Sequence, residues 1–278
     1  MTTLPDQCGV LRLLAPNGDT LDSGCLIGGS GYVETTELPV AGEYSVVLAP
    51  YREGVGQARV GVLTMADPQG PITPNGPELV APITQPGGQA RYTFTGKKGQ
   101  VVFVDVPTTT LTDQCSPLSI VDSKGAELND GCAINGQGYV DRTVLPADGE
   151  YTVLIDPNDR KTGTSRVRLV SPTDMADTIT PNGPAVTATV PRAGGLARFT
   201  FTGTARQRVT VAVTSSDLSD QCSPLLLLGP NGDKLDSGCV IGGEGGIDPV
   251  TLPVAGRYTV VVDPGSRDTG SATLRLTG

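Results

Sequence analysis

The chain of 278 residues contains no histidine and no tryptophan, and aromatic residues make up only 4% of it. Without histidine there is no imidazole for a metal site, a Ser-His or Cys-His nucleophile pair, or acid–base work near neutral pH. The scarcity of aromatics gives little support to the stacking platforms that sugar binding favours. Basic residues are outnumbered, 20 Lys and Arg against 29 Asp and Glu, for a net charge of −9. That balance is opposed to nucleic acid, whose phosphates need a basic surface. No apolar run approaches the ~20 residues of a membrane-spanning helix, and no polybasic patch marks a membrane surface.

Small and turn-forming residues are abundant instead. Glycine (37) and proline (23) fill more than a fifth of the positions. Short alternating runs such as Arg198-Phe-Thr-Phe-Thr202, Arg208-Val-Thr-Val-Ala-Val213 and Arg257-Tyr-Thr-Val-Val-Val262 stop at Gly203, at a polar stretch and at Asp263-Pro264. Five- and six-residue strands punctuated in this way predict antiparallel all-β structure, and no stretch sustains a helical period with caps.

An internal repeat organises the whole chain. Asp6-Gln7-Cys8 returns as Asp113-Gln114-Cys115 and Asp220-Gln221-Cys222. Cys25, Cys132 and Cys239 form a second series, and Tyr44, Tyr151 and Tyr258 a third, every step being 107 residues. The second and third copies match at roughly 45% of positions, a level that marks duplication. A period of 107 is too long for a solenoid unit and fits a self-contained sandwich of ~100 residues. The fold class expected is therefore all-β: tandem antiparallel β-sandwiches, immunoglobulin-like or jelly-roll-like. The Pro-rich stretches 68–77 and 173–184 read as linkers. They delimit complete units over 74–172 and 181–278, and an incomplete one over 1–67 that lacks the counterpart of 74–107. Such a unit is expected to expose an apolar face and open edges. Two explanations are weighed: a chain cut from a longer array, with which the Met-Thr-Thr start and lack of a leader agree, or strands supplied by a partner.

Each unit carries Cys-x16-Cys, with the turn Pro16-Asn17-Gly18-Asp19 near the middle of the first pair. If that turn closes a hairpin, the two sulfurs sit on neighbouring strands within about one residue of directly opposite, which is within disulfide reach. The expected bridges are Cys8–Cys25, Cys115–Cys132 and Cys222–Cys239, which imply an oxidising compartment. Two thiolates per unit with no histidine do not close a zinc shell.

Other motifs receive structural readings. Asp22-Ser23-Gly24, Asp236-Ser237-Gly238 and Asp268-Thr269-Gly270 have the form of an aspartic-protease signature, but the middle copy has Asn129-Asp130-Gly131 and Lys161-Thr162-Gly163 at those places. Turn chemistry explains them, and the chain is not expected to be an enzyme. Oxygen-rich clusters at Asn17, Asp19 and Asp22, at Asp122, Asn129 and Asp130, and at Asn231, Asp233 and Asp236 are the places where calcium would bind if it bound at all; no cofactor is expected. The Gly-rich segments lack the features of a phosphate loop. They are read as wide loops at one end of each unit, with Gly28, Ser30, Tyr32, Asn135, Gln137, Tyr139, Gly242 and Glu244 as candidate ligand contacts. Tyrosine at the end of Leu-Pro-x-x-Gly-x-Tyr is read as a tyrosine corner.

Phe199-Thr-Phe-Thr-Gly203, Leu252-Pro-Val-Ala-Gly-Arg-Tyr-Thr-Val-Val-Val-Asp-Pro264 and Thr269-Gly270 resemble β-sandwich repeats of the pre-peptidase C-terminal type, found in large secreted or surface proteins of bacteria, including Rhs-like ones. The resemblance covers both full units and the matching part of the first. It implies extracellular, non-catalytic spacer or accessory modules. The expected role is a secreted or cell-surface structural or adhesive array. The alternatives are a filament subunit completed by strand addition between chains, and a carbohydrate- or protein-binding module. The expected partners are other domains of a longer chain, or a second copy through the incomplete unit; neither nucleic acid nor membrane insertion is expected.

Overall fold

The computed structural model describes residues 2–51 and 54–278. Strands dominate, as the alternating runs require: 55% of residues are in strands and 1% in helix. The chain is a tandem array of all-β sandwiches. The first sheet holds β1 (Gln7–Leu14), β2 (Thr20–Ile27), β3 (Ser30–Gly31) and β4 (Ser45–Leu48), in the order β3-β2-β1-β4. The second is built from β5 (Gln69–Pro71), β6 (Leu79–Ile83), β7 (Ala90–Gly96), β8 (Val101–Thr109), β9 (Gln114–Asp122), β10 (Glu127–Ile134), β11 (Gln137–Val144), β12 (Gly149–Ile155) and β13 (Gly163–Val170), with a 3-10 turn at Asn158–Arg160. The third uses β14 (Met175–Thr178), β15 (Val186–Val190), β16 (Ala197–Gly203), β17 (Arg208–Ser216), β18 (Gln221–Leu228), β19 (Lys234–Ile241), β20 (Glu244–Thr251), β21 (Gly256–Val262) and β22 (Gly270–Thr277).

The duplication in sequence is a duplication of topology. The second sheet runs β5-β7-β12-β9-β10-β11-β8-β13-β6 and the third β14-β16-β21-β18-β19-β20-β17-β22-β15, which is the same order. Neighbours are antiparallel except β5 on β7 and β14 on β16, which are parallel. Those two strands correct the reading of 68–77 and 173–184 as strandless linkers. Each linker lays a short strand on the edge of a sheet and buries one isoleucine, Ile72 or Ile179. Pro71 is tolerated there because an edge strand can spare an N–H.

Alternation along the strands fixes the two large cores. In β7 the side chains of Ala90, Tyr92, Phe94 and the Cα of Gly96 face inward, and Arg91 and Thr95 outward. Phe94 stacks on Tyr151 and Phe201 on Tyr258, with ring centroids 5.7 and 5.5 Å apart. Around these pairs gather Val104, Ile120, Val153 and Leu169 in one core and Val211, Leu227, Val260 and Leu276 in the other.

Residues divide into two compact units. The first is Met1–Asp67 with the loops Thr84–Gly88 and Asp159–Thr162; the second is the remainder and includes both large sheets. The first unit has only a small core, Leu4, Val10 and Leu26 with Leu48 and Ala58 beside them. Positions that the repeat buries elsewhere are open here: Leu38 is 53% exposed where Leu145 is 1%, Val46 41% where Val153 is 0%, and Val62 74% where Leu169 is 1%. Burial of each such side chain is worth about 1.5–3 kcal/mol, so the first unit forgoes a large part of the stabilisation its sister repeats gain.

Candidate functional site

The Asp-Gln-Cys motif is a three-part brace. Asp6, Asp113 and Asp220 each accept a hydrogen bond through Oδ1 from the backbone N–H of Gly28, Asn135 and Gly242, at 2.9, 2.8 and 2.7 Å. Those N–H groups open the connection from β2 to β3, β10 to β11 and β19 to β20. The connections are Gly28-Gly29, Asn135-Gly136 and Gly242-Gly243, all with φ between 52° and 80°. Two central residues at positive φ make a type I′ hairpin turn. The wide loops expected from glycine content are thus tight two-residue turns, because glycine sits where the turn needs left-handed backbone. The glutamine ties down the far loop: Gln7 Oε1 accepts from the N–H of Tyr51 and Gln114 Oε1 from that of Asn158, at 2.9 and 2.8 Å. In the third repeat Gln221 donates to Asp268 instead, at 3.2 Å.

The cysteines join Cys8 to Cys25, Cys115 to Cys132 and Cys222 to Cys239. Cys8 and Cys25 stand directly opposite in register, as do Cys222 and Cys239. Covalent links between neighbouring strands belong to an oxidising environment. Tyr44, Tyr151 and Tyr258 donate their hydroxyls to the carbonyls four residues back, Val40, Ala147 and Val254, at 2.5, 2.8 and 2.6 Å. The geometry is that of a tyrosine corner.

The Asp-Ser-Gly triplets lie within β2 and β19. Asp22 and Asp236 accept from the N–H of the following serine, at 2.7 and 2.8 Å. Their glycines are needed for close approach. A Cβ on Gly24, Gly131 or Gly238 would lie 1.6, 1.7 or 1.8 Å from the carbonyl oxygen of Tyr32, Tyr139 or Gly246. Asp268 receives bonds from Ser219 and Gln221. Asn17 and Asp19 bond each other across their turn, and so do Asn231 and Asp233; Asp122 accepts from Lys124 and Ala126, and Asp130 from Ser116. Among the described residues no group of three or more His, Cys, Asp or Glu is arranged to hold a metal ion.

The most elaborate polar constellation lies where the second and third repeats meet. Gln137 and Tyr139, candidates for ligand contact, both serve it. Tyr139 stacks nearly parallel on the fully buried Phe103, centroids 5.7 Å apart, and its hydroxyl is 3.0 Å from Ser266 Oγ. Arg267 donates to Gln137 Oε1 at 2.5 Å and places Nε 2.6 Å from Oδ1 of Asp105, an ion pair without the alignment of a hydrogen bond. Asp105 is only 4% exposed, and its other oxygen accepts from Arg168. Arg142 grips Asp174 with two parallel bonds of 2.8 and 2.7 Å and also donates to the carbonyl of Gly194 at 2.8 Å. Gly194, at φ +72°, lies so close to Phe103 that a Cβ would sit 2.8 Å from its ring. Arg192 donates to Asn75 at 2.7 Å.

The first unit contains the same pieces 107 residues earlier. Arg160 lies over the ring of Tyr32, 4.7 Å from its centroid, and Thr35 donates to the carbonyl of Gly87. These are the positions of Arg267, Tyr139, Arg142 and Gly194. Ser30 has its hydroxyl near the carbonyl of Ile27 at 3.5 Å, and Glu244 pairs with Ile241 at the head of β20. Sequence reading did not single out Phe103, Asp105, Arg142, Asp174 or Arg267. One signal for them exists: at the equivalent places the third repeat has Thr210 for Phe103, Ala212 for Asp105, Gly246 for Tyr139 and Pro249 for Arg142. Otherwise similar repeats diverge at the residues of the joint.

In comparisons with known proteins, no family model matches the chain and no curated protein matches it.

Proposed function

We propose that the chain is a non-catalytic spacer in a secreted or cell-surface protein, an array of disulfide-stapled sandwiches that holds other parts at a set separation. The observation that carries this reading is the joint between the second and third repeats. A flexible tether would need no buried Asp105, no stacked Phe103 and Tyr139, and no bidentate Arg142–Asp174 pair. The contacts made on them from the third repeat side, Arg267 to Asp105, Ser266 to Tyr139, Gly194 against Phe103 and Asp174 to Arg142, restrict rotation between repeats, and a spacer needs that restriction. The tight turns also support it, because Gln137 and Tyr139 serve the joint and leave little of the Gly-rich end for a ligand. The three bridges favour an extracellular setting. On this proposal the repeats are bacterial accessory modules of the pre-peptidase C-terminal type.

Spin labels at the exposed Lys124 and Lys234 of the full chain test the reading. A narrow distance distribution that survives moderate salt is the expected result. A broad one, like that of beads on a string, would overturn it.

A further inference from the structure

We infer that the open edge of β4, with the apolar face beside it, is an acceptor for a polypeptide segment carrying the repeat's own leading-strand pattern, added antiparallel to Ser45–Leu48. This goes beyond the spacer reading and does not depend on it.

Repeats two and three show what covers these positions. β12 pairs with both β7 and β9, and β21 with both β16 and β18. β4, their equivalent, pairs with β1 and stands at the edge of its sheet. The register is visible in both sister sheets: Tyr92 opposes Val153 and Phe94 opposes Tyr151, while Phe199 opposes Val260 and Phe201 opposes Tyr258. Carried back by 107 residues, an aromatic belongs opposite Val46 and a second opposite Tyr44. The strand must also end in glycine. A Cβ on Gly96 would come within 2.2 Å of Leu145 Cδ1, and one on Gly203 within 2.3 Å of Leu252 Cδ1; Leu38 holds the corresponding place. The occupant's chemistry is therefore Ala-Arg-aromatic-Thr-Phe-Thr-Gly.

Charge favours the same occupant. Residues 1–67 carry eight acidic and three basic side chains, net −5. Residues 89–109 are net +2 and 196–216 net +3. The leading segments are the basic parts of an acidic chain, and opposite charge steers their association. A second folded copy is not the donor, because its β7 and β16 are already paired inside their own sheets. Main-chain bonds to the β4 edge supply affinity and the alternate aromatics supply specificity, as in other strand additions.

The test adds a synthetic peptide with the sequence of residues 89–109 to the full chain. Amide exchange at 44–48 is expected to slow at least tenfold, with saturable binding in a titration. Phe94→Asp or Gly96→Val in the peptide, which leaves the chain's own folding untouched, is expected to weaken binding at least tenfold, as is Val46→Asp in the chain. Three results would overturn the proposal: unchanged exchange at 44–48, equal binding of a scrambled peptide, or protection of 44–48 by concentration-dependent dimerisation of the chain alone.

Discussion

Replacing Arg267 with alanine isolates the link of the joint that reaches its most buried charge, Asp105. The guanidinium faces a carboxylate that is nearly buried, and it also bonds Gln137. Asp105 does not become an orphan, because Arg168 still holds its other oxygen. The full penalty for an unpaired buried charge, about 3–5 kcal/mol, therefore does not apply. What is lost is one close contact to a buried charge and one bond to a neutral amide. Bonds to charged groups contribute about 1.5–3 kcal/mol, and the imperfect alignment at Asp105 favours the lower part of that range. Together the two losses come to about 2 kcal/mol, roughly a thirtyfold fall in the ratio of docked to undocked repeats. Arg267→Lys should recover only part of it, since lysine cannot reach Asp105 and Gln137 with one planar fork. The assay is the Lys124–Lys234 spin-label distance, read with amide exchange around Gly194. Broadening of the distance and faster exchange at Gly194, with the strands of the third core still protected, is the expected outcome. In a double-mutant cycle with Asp105→Ala the effects should fall short of additive by more than 1 kcal/mol. Additive effects, or an Arg267→Ala chain whose distance distribution is unchanged, would show that the pair is a surface decoration worth less than about 1 kcal/mol.

Three further outcomes are expected. Burial raises the pKa of the Tyr92 hydroxyl above its ordinary 10.0, so the stability it contributes is whole below about pH 10 and falls as pH rises through the raised value; Tyr92→Phe should flatten the alkaline loss measured by denaturant titration, and an unchanged slope would refute the assignment. Replacing both Cys222 and Cys239 with serine opens a loop with a sequence separation of 17 and should cost the third repeat about 3 kcal/mol, seen as faster exchange in its core; no change would mean that the hairpin is held without the bridge. Gly131→Ala drives a Cβ into the carbonyl of Tyr139 and should cost about 3 kcal/mol or more, whereas Gly125→Ala, at φ +80° with open space around it, should cost about 1 kcal/mol. Equal melting shifts for the two would contradict the close approach.

The periodicity of the strands made the fold class legible, since alternating Thr and aromatic residues between glycines leave little choice of secondary structure. The cysteine pairing was legible because a central turn between two cysteines sets strand register. Two readings failed, each for its own reason. Gln69–Pro71 and Met175–Thr178 are too short and too rich in non-alternating residues to announce a strand, and only the waiting edge of β7 or β16 gives them one. The Gly-rich segments looked open because glycine was counted as slack, whereas Gly28-Gly29 and Gly242-Gly243 use their positive φ to turn within two residues. The joint was hidden because Phe103, Tyr139, Asp174 and Arg267 are far apart in sequence and no single segment carries the pattern.

The placement of the cysteines bears on how such a chain reaches its fold. Six cysteines allow 15 pairings, and repeats with cysteines at the same places offer each thiol chemically equivalent wrong mates in the neighbouring copies. The correct mate is 17 residues away, while the nearest equivalent one in a neighbouring repeat, Cys115 for Cys25 or Cys222 for Cys132, is about 90 away. Loop-closure entropy favours the near partner by about 1.5 kcal/mol, roughly twelvefold, before any tertiary structure exists. Oxidation is thus biased to proceed hairpin by hairpin, which lowers the chance that a duplicated sequence is covalently trapped with strands exchanged between copies.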